Sequence, residues 1–212
     1  MDKRWDRGQA TRQHMVGTAT RLFAADGYEA VSIEAVLKAC GVSRGALYHH
    51  FSSKKALFTA VLETAEARVC EQVRQAAQGA SSPIEGLRAG CAAWLALAAD
   101  DQTVRQIVLT DAPAVLGWQA WRAIDGEHSL GLIRGAFTLA AATGRVQADR
   151  LDLYAQLLLA ALIEVALMIA RAPDDGALRL AGTDAVERVL GALFAVDQPL
   201  TASPALTGPG AG

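Results

Sequence analysis

Few side chains in this sequence are spaced for covalent chemistry. Asp125, Glu127 and His128 come nearest to a catalytic or metal-ligating group, yet only Asp125 and His128, at i and i+3, share a helix face. No H-x-x-x-H, HExxH, G-x-S-x-G or glycine-rich phosphate loop occurs. Cys40, Cys70 and Cys91 lie far apart with no C-x-x-C, which reads as buried, reduced thiols of a cytosolic protein. The residues predict no enzyme, no metal and no cofactor. Recognition chemistry concentrates instead in residues 32–57, SIEAVLKACGVSRGALYHHFSSKKAL. Ser32 is a suitable N-cap. Ile33, Val36, Leu37 and Cys40 then make one apolar helix face. Gly41 suits a left-handed helix end, Val42 plugs the corner, and Ser43 caps a second helix over 44–50. That helix is about 10 Å long, comparable to the roughly 12 Å width of a DNA major groove. Two helices around a short glycine turn form a helix-turn-helix pattern.

The surrounding text, FAADGYEAVSIEAVLKACGVSRGALYHHFSSKKAL, resembles the DNA-binding domain of the TetR family of transcriptional regulators. Phe23, Gly27, Tyr28, Ser32, Ile33, Gly41, Val42, Ser43, Leu47, Tyr48, Phe51, Lys54 and Leu57 carry the resemblance, which covers about residues 12–62. The departures are small. Ser32 stands where Thr is frequent, Cys40 where Ala is frequent, and Glu34-Ala35 where Ile-Ala is common. The resemblance implies that the short helix enters the major groove. Arg44, Gly45 and Ala46 would face base edges or their sugar-phosphate borders. Arg44 would bond guanine or pair with a phosphate, and Gly45 would let the backbone approach closely. Tyr48 and Lys54 would reach phosphates, His49 either target, and Ser32 and Ser43 phosphates in addition to their capping role. Leu47 and Phe51 are core.

The elements that position these residues are read as helices. The sequence has 212 residues, 52% hydrophobic and 20% charged, with six prolines and few β-branched runs. Net charge is −2, but it divides unevenly: residues 1–62 hold nine Lys/Arg against five Asp/Glu, and the remainder holds eleven against seventeen. A basic head on an acidic body fits a DNA-reading domain joined to a part that does not touch DNA. The start, MDKRWDRGQA, lacks an apolar signal region and is read as an unstructured arm over 1–9, with Lys3, Arg4 and Arg7 able to touch DNA. Helices are expected over 12–25, 33–40, 44–50 and about 53–78. A further helix from 83 to 99 opens with the Ser82-Pro83-Ile84-Glu85 capping box, and Asp100 or Asp101 caps one over 103–110. Pro113 and Gly117 interrupt, then helices follow over 118–143, 151–170 and 184–196. Gly144 ends the first of these three. The run LDLYAQLLLAALIEVALMIA is long enough for a membrane, but Asp152, Gln156 and Glu164 break it, so a buried helix is expected.

The expectation is an all-α fold with a three-helix helix-turn-helix domain over 10–62, an effector-binding and dimerisation domain over 63–197, and a disordered tail over 198–212. The family resemblance implies an effector pocket among the later helices, with Trp94, Trp118, Trp121, Tyr154 and Met168 as apolar walls and Gln156, Glu164, Arg105, Asp111 and His128 as polar groups. Its ligand would be apolar or aromatic, or cationic with Glu164 as charge partner. Leu158, Leu162, Val165, Ile169, Val186, Val189, Leu190, Leu193 and Phe194 are expected at a homodimer interface built from the last two helices. The reading is a cytoplasmic, homodimeric repressor on a pseudo-palindromic double-stranded operator, with no membrane. The alternative is an effector-independent regulator or architectural DNA binder.

Overall fold

The computed structural model describes residues 3–142 and 148–194, side chains at 3–7 and 148 aside. The described chain is all-α. Helix α1 spans Lys3–Ala30, α2 Ile33–Cys40, α3 Arg44–His50, α4 Lys54–Ala77 and α5 Pro83–Asp100. A π-helical segment, Val104–Asp111, runs directly into α6, Ala112–Leu116. Then come α7 (Trp118–Ala142), a 3-10 turn (Ala148–Arg150), α8 (Leu151–Arg171) and α9 (Gly176–Phe194).

The caps read from the sequence form as physical bonds. The hydroxyl oxygens of Ser32, Ser43 and Ser53 accept from the backbone N–H groups of Ala35, Ala46 and Ala56. Gly41 takes φ 66°, the left-handed stop. At α5 the Ser82 oxygen accepts from the Glu85 N–H at 3.3 Å, but the Glu85 carboxylate turns to the N–H and hydroxyl of Ser81 rather than to Ser82. Asp101, not Asp100, caps the next segment. Its Oδ1 accepts from Thr103 and Val104, while its Oδ2 holds Arg68 of α4 at 2.8 Å.

Several boundaries differ from expectation. α1 starts at Lys3 rather than near residue 12, so the arm expected over 1–9 is helical from Lys3 onward. Gly8 is the only breaker in that stretch, and one helical glycine costs about 1 kcal/mol, too little to stop a helix. Pro113 does not interrupt the chain, because it sits in the first turn of α6, where no N–H is needed. Gly117, at φ 87°, makes the break. α9 begins at Gly176, eight residues before expected, with the Leu178 N–H bonded to Asp175 at 2.9 Å. The expected tail, Gly144 and residues 195–197 lie outside the described residues.

Two groups of packing position the site. In the head, Phe23, Tyr28 and Phe58 form an aromatic trio with centroids 4.9–5.7 Å apart, seating α1 on α4. Leu47 and Phe51 are buried beneath α3, as expected of core positions. In the body, α5 packs against α4, α7, α8 and α9. The two groups meet where Gly27 reverses the chain. Its φ is 78°, and a Cβ there would lie 3.1 Å from Gln106 Nε2. Only glycine satisfies both constraints. The turn delivers the Tyr28 N–H to Asp111 Oδ2 at 2.8 Å, while Gln106 donates to Asp111 Oδ1 at 3.0 Å.

α8 is long and apolar enough to cross a membrane, yet one side of it is buried against neighbouring helices. Its inner face includes Ala155, Leu158, Leu159, Leu162, Ile163 and Ala166. Its outer face exposes Leu153, Leu157 and Met168, at 58%, 49% and 44%.

Candidate nucleic-acid interface and internal cavity

α3 buries Leu47 and turns Arg44, Gly45, Tyr48 and His49 outward, with Ala46 and His50 at intermediate exposure. Tyr48 is 44% exposed, high for an aromatic side chain on a seven-residue helix. The Ser32 and Ser43 oxygens are used in capping, but each hydroxyl still has a proton to donate. Arg44 pairs with Glu34 of α2, and both side chains are more than half exposed. Such a surface pair is worth about 0–1 kcal/mol, so a phosphate or base can displace Glu34. Lys54 Nζ lies 4.1 Å from the centre of the Tyr28 ring, a cation-π contact that holds it beside the start of α4. Arg12 is held similarly, 5.1 Å from the Phe51 ring. An added Cβ at Gly45 would meet nothing closer than Ser43 Oγ at 4.0 Å. Nothing inside the protein requires glycine there, although a helical glycine costs about 1 kcal/mol relative to alanine. The same holds for other helical glycines of the chain, such as Gly17 and Gly191.

The body holds a cavity of about 570 Å³ between α4, α5 and α7, closed below by Leu159 and Leu162 of α8. That volume is within the usual range for small-molecule sites. Val69, Val73, Leu87, Trp94, Ile133 and Ala136 give it apolar walls. Its polar lining includes Asp125, which is 2% exposed, and Ser129. Arg122 approaches the Asp125 carboxylate at 3.3 Å, and the Ser129 hydroxyl donates to it at 3.4 Å. Burial nonetheless pushes Asp125 up to about 6, against the pull of Arg122. Glu66 lies one turn before Cys70 on α4, fully buried, and neither carboxylate oxygen has a hydrogen-bond partner among the described residues. Burial, with the Asp125 charge adding to it, pushes Glu66 up to about 8. Cys70 and Cys91 also line the cavity as free thiols. Burial raises them to about 11 and about 12, so both remain protonated and unreactive near neutrality.

Of the groups expected in a pocket, only Trp94 lines this one. Gln156, Glu164 and Met168 sit on the outer face of α8, so Glu164 needs no buried partner. Trp118 is 54% exposed and leans edge-on against the buried Trp121 at 5.0 Å. Tyr154 packs on Phe137, and His128 is half-buried beyond the lining. Arg105 donates to the Ala99 carbonyl, and Asp111 is spent on Tyr28 and Gln106. Glu66 was missed altogether, and Asp125, read with Glu127 and His128, was not expected in the cavity lining. Glu66 carried a legible signal, since it falls four residues after Leu62 and three before Val69, on the buried stripe of α4. Most of the expected dimer stripe is also internal. Leu158, Leu162, Ile169, Val186 and Leu190 are buried within the single chain, Val165, Leu193 and Phe194 are half-buried, and Val189 alone is exposed. The α9 stripe is consumed by packing against α8, where Gly182 permits contact so close that an added Cβ would sit 2.7 Å from Val165.

Two family models match the chain. Residues 16–61 match that of the bacterial regulatory proteins of the tetR family, and residues 84–193 match the tetracyclin repressor-like C-terminal domain. The second alone covers more than half of the sequence. The chain belongs to the TetR family. Among curated TetR-type relatives, the transcriptional regulator UidR of Escherichia coli K12 is 34% identical over 87 residues, 41% of each chain. The match thus spans well under half of that relative. A TetR-family regulator from Pectobacterium atrosepticum has been solved, with 29% identity, a TM-score of 0.78, and coverage of 92% of this chain and 98% of that one. The SmeT–triclosan complex shares the fold at 23% identity and a TM-score of 0.68, covering 94% and 100%. The head match encloses α2 and α3. The cavity wall supplied by α4, from Val69 to Ala77, falls between the two matched segments.

Proposed function

We propose that this TetR-family chain is a cytoplasmic, sequence-specific DNA-binding regulator, a homodimeric repressor released from its operator by a small molecule that occupies the 570 Å³ cavity. The head over 10–62 reads DNA and the body over 63–197 takes effector and partner subunit. The outward face of α3 carries the DNA reading: Arg44, Gly45, Tyr48 and His49 all point away from the core on a seven-residue helix that buries Leu47. Arg44 supplies base or phosphate contact. Tyr48 and Lys54 hold phosphates, with Ser32, Ser43, Ala46 and His49 completing the surface. SmeT, which shares the fold, is solved with triclosan, and the cavity here fits a comparable use. The ligand works only by binding the DNA-free arrangement better, because equal affinity for both states shifts nothing.

Selection of DNA fragments from random pools by the pure protein tests this reading. A pseudo-palindromic consensus is expected, bound by wild type and lost on Arg44→Ala. A compound library is then screened for operator release. Compounds that release wild type but not a cavity-filling Ala136→Trp variant support the cavity as effector site. Release that is unchanged in that variant would place the effector elsewhere.

A further inference from the structure

The seam between head and body carries a bonded chain that ends at a proposed DNA contact. Val104–Asp111 is π-helical, a form that occurs as single turns at functional sites. In an α-helix, side chains five apart point about 140° from one another. The wider π turn brings Gln106 and Asp111 to one side, where the Gln106 amide donates to Asp111 Oδ1 at 3.0 Å. Asp111 Oδ2 is then left for the Tyr28 N–H of the head, at 2.8 Å. Gly27, at φ 78°, turns the chain just before Tyr28, and Asp111 fixes the backbone where it leaves that turn. Tyr28 in its turn carries Lys54, whose Nζ lies 4.1 Å from the ring centre. Burial raises the Asp111 carboxyl above its ordinary value, with Glu29 adding to it, while the Tyr28 N–H, the Gln106 amide and the Lys54 charge pull the other way. Body and head thus share one electrostatic cluster.

We propose that Asp111, from the body, is a positioning residue for the phosphate contact of Lys54 in the head: it fixes Tyr28, and the Tyr28 ring holds the ammonium at the start of α4. This rests on Lys54 being a DNA contact. A free lysine loses rotamer freedom when it takes a phosphate. One already held over a ring has less to lose. A ring face does not use up the ammonium N–H groups as a carboxylate would, so they stay available to a phosphate beside the first turn of α4. Asp111 acts through the Tyr28 backbone, and its other oxygen is tied to Gln106. The π segment also packs on α4, α5 and α8, which contribute walls to the cavity. One segment therefore touches both the walls of the effector site and the support of a DNA contact.

The test is fluorescence anisotropy of the full chain on the operator duplex selected by wild type, at several salt concentrations, with Tm and helical content read on the same samples. Lys54→Ala is expected to bind about tenfold more weakly and to lower the salt slope by about one unit. Asp111→Ala should also weaken binding several-fold and lower the slope, although removing an acid makes the chain more positive and by charge alone would strengthen binding. A merely structural role would lower Tm without moving the slope. Added to Lys54→Ala, Asp111→Ala should cost less than about twofold more, whereas added to Arg44→Ala it should cost its full factor. Asp111→Asn, whose side-chain oxygen still accepts from Tyr28, should bind within about twofold of wild type. Should Asp111→Ala lose helical content, Gln106→Ala, which unties the carboxylate but keeps it, carries the same comparison. Wild-type affinity and slope in Asp111→Ala, losses that multiply in the Lys54→Ala background, or Asp111→Asn behaving as the alanine variant would each overturn the positioning role. Equal coupling to Arg44 would mean that the whole head shifts, and would overturn it too. Failure of wild type to select any operator would instead overturn the DNA reading on which the proposal stands.

Discussion

Gly45 separates two demands that the other residues of α3 combine. Because its position is exposed and clear of other atoms, Gly45→Ala should leave the fold unstrained and raise helix propensity by about 1 kcal/mol. The same methyl group would stand between α3 and a DNA groove. Thermal unfolding should therefore show equal or higher stability, and fluorescence anisotropy on the selected operator should show weaker binding. Unchanged affinity would remove Gly45 from the contact surface. Tyr48→Phe and Lys54→Ala each delete a proposed phosphate contact and should weaken operator binding; only Lys54→Ala, which removes a charge, should also lower the salt slope by about one unit. For Lys54 the loss is read against its cation-π contact with Tyr28, so Lys54→Ala also costs on the order of 0.5–1 kcal/mol, about 1–4 °C in Tm. Inside the body, Glu66 carries a pH signature. A carboxyl that stands at about 8 when folded and at its ordinary value when unfolded takes up a proton on folding between those limits. Stability thus falls as pH rises through that window and levels off above it. Glu66→Gln removes this slope, so its Tm advantage over wild type should widen from about pH 5 to about pH 8 and then stay constant. Asp125, raised to about 6, leaves a smaller slope at the acid end in both proteins. Parallel Tm curves across the range would show that Glu66 is already ionised in the folded chain.

At the scale of elements, the packing of α9 on α8 gives a sharp case. Gly182 lies inside a helix, where alanine would ordinarily help by about 1 kcal/mol. Here the added carbon meets Val165 Cγ1 at 2.7 Å, and overpacking of this kind costs about 1–3 kcal/mol. Gly182→Ala should lower Tm, and Val165→Ala in the same chain should recover much of the loss. Failure of that rescue would mean the helices separate rather than clash. The same pair shows what a sequence can and cannot carry. Caps, glycine stops and the register of α2 and α3 were legible because each depends on a few adjacent side chains, such as Ser43 with Ala46 or Gly41 alone. The outward set on α3 followed from that register and the family resemblance. The facing of α8 and α9 was not legible, because α8 is apolar on most sides and a period of 3.6 residues cannot say which neighbour a stripe meets. The regular Val186, Leu190 and Leu193 stripe reads as a surface between chains, yet α9 packs on α8 of its own chain and buries Val186 and Leu190. Likewise the apolar neighbours of Glu164 suggest a burial that the packing does not give it, because burial is a property of the packed molecule. Glu66 is the opposite case: its place on the Leu62–Val69 stripe of α4 already marks it as buried.

For the molecule as a whole, we propose that the bare face of α8 is where two copies meet. Leu153, Leu157 and Met168 are exposed along it, with Gln156, Ala160 and Glu164 between them, and Val189 is exposed on α9. Exposed apolar groups in a contiguous run mark a contact surface. Two copies meeting there, with α9 alongside, make a four-helix bundle about a two-fold axis, the commonest closed symmetry. DNA reading asks for the same arrangement. A seven-residue α3 reaches few base pairs, whereas two related by a dyad read half-sites about 34 Å apart, or a multiple of it. The decisive substitutions are therefore those on the outer face. Leu157→Glu alters a side chain that is half exposed in the single chain, so its cost to folding should stay within about 0.5 kcal/mol. Across the dyad it places a charge in an apolar contact, which should give monomers in sedimentation, full helical content in circular dichroism, and loss of tight operator binding. Leu190→Glu makes the control, since Leu190 is buried within its own chain and a charge there should unfold the body rather than split a dimer. Should Leu157→Glu sediment as a dimer and bind operator as wild type does, the outer face of α8 is not the interface, and the half-sites must be brought together by another surface.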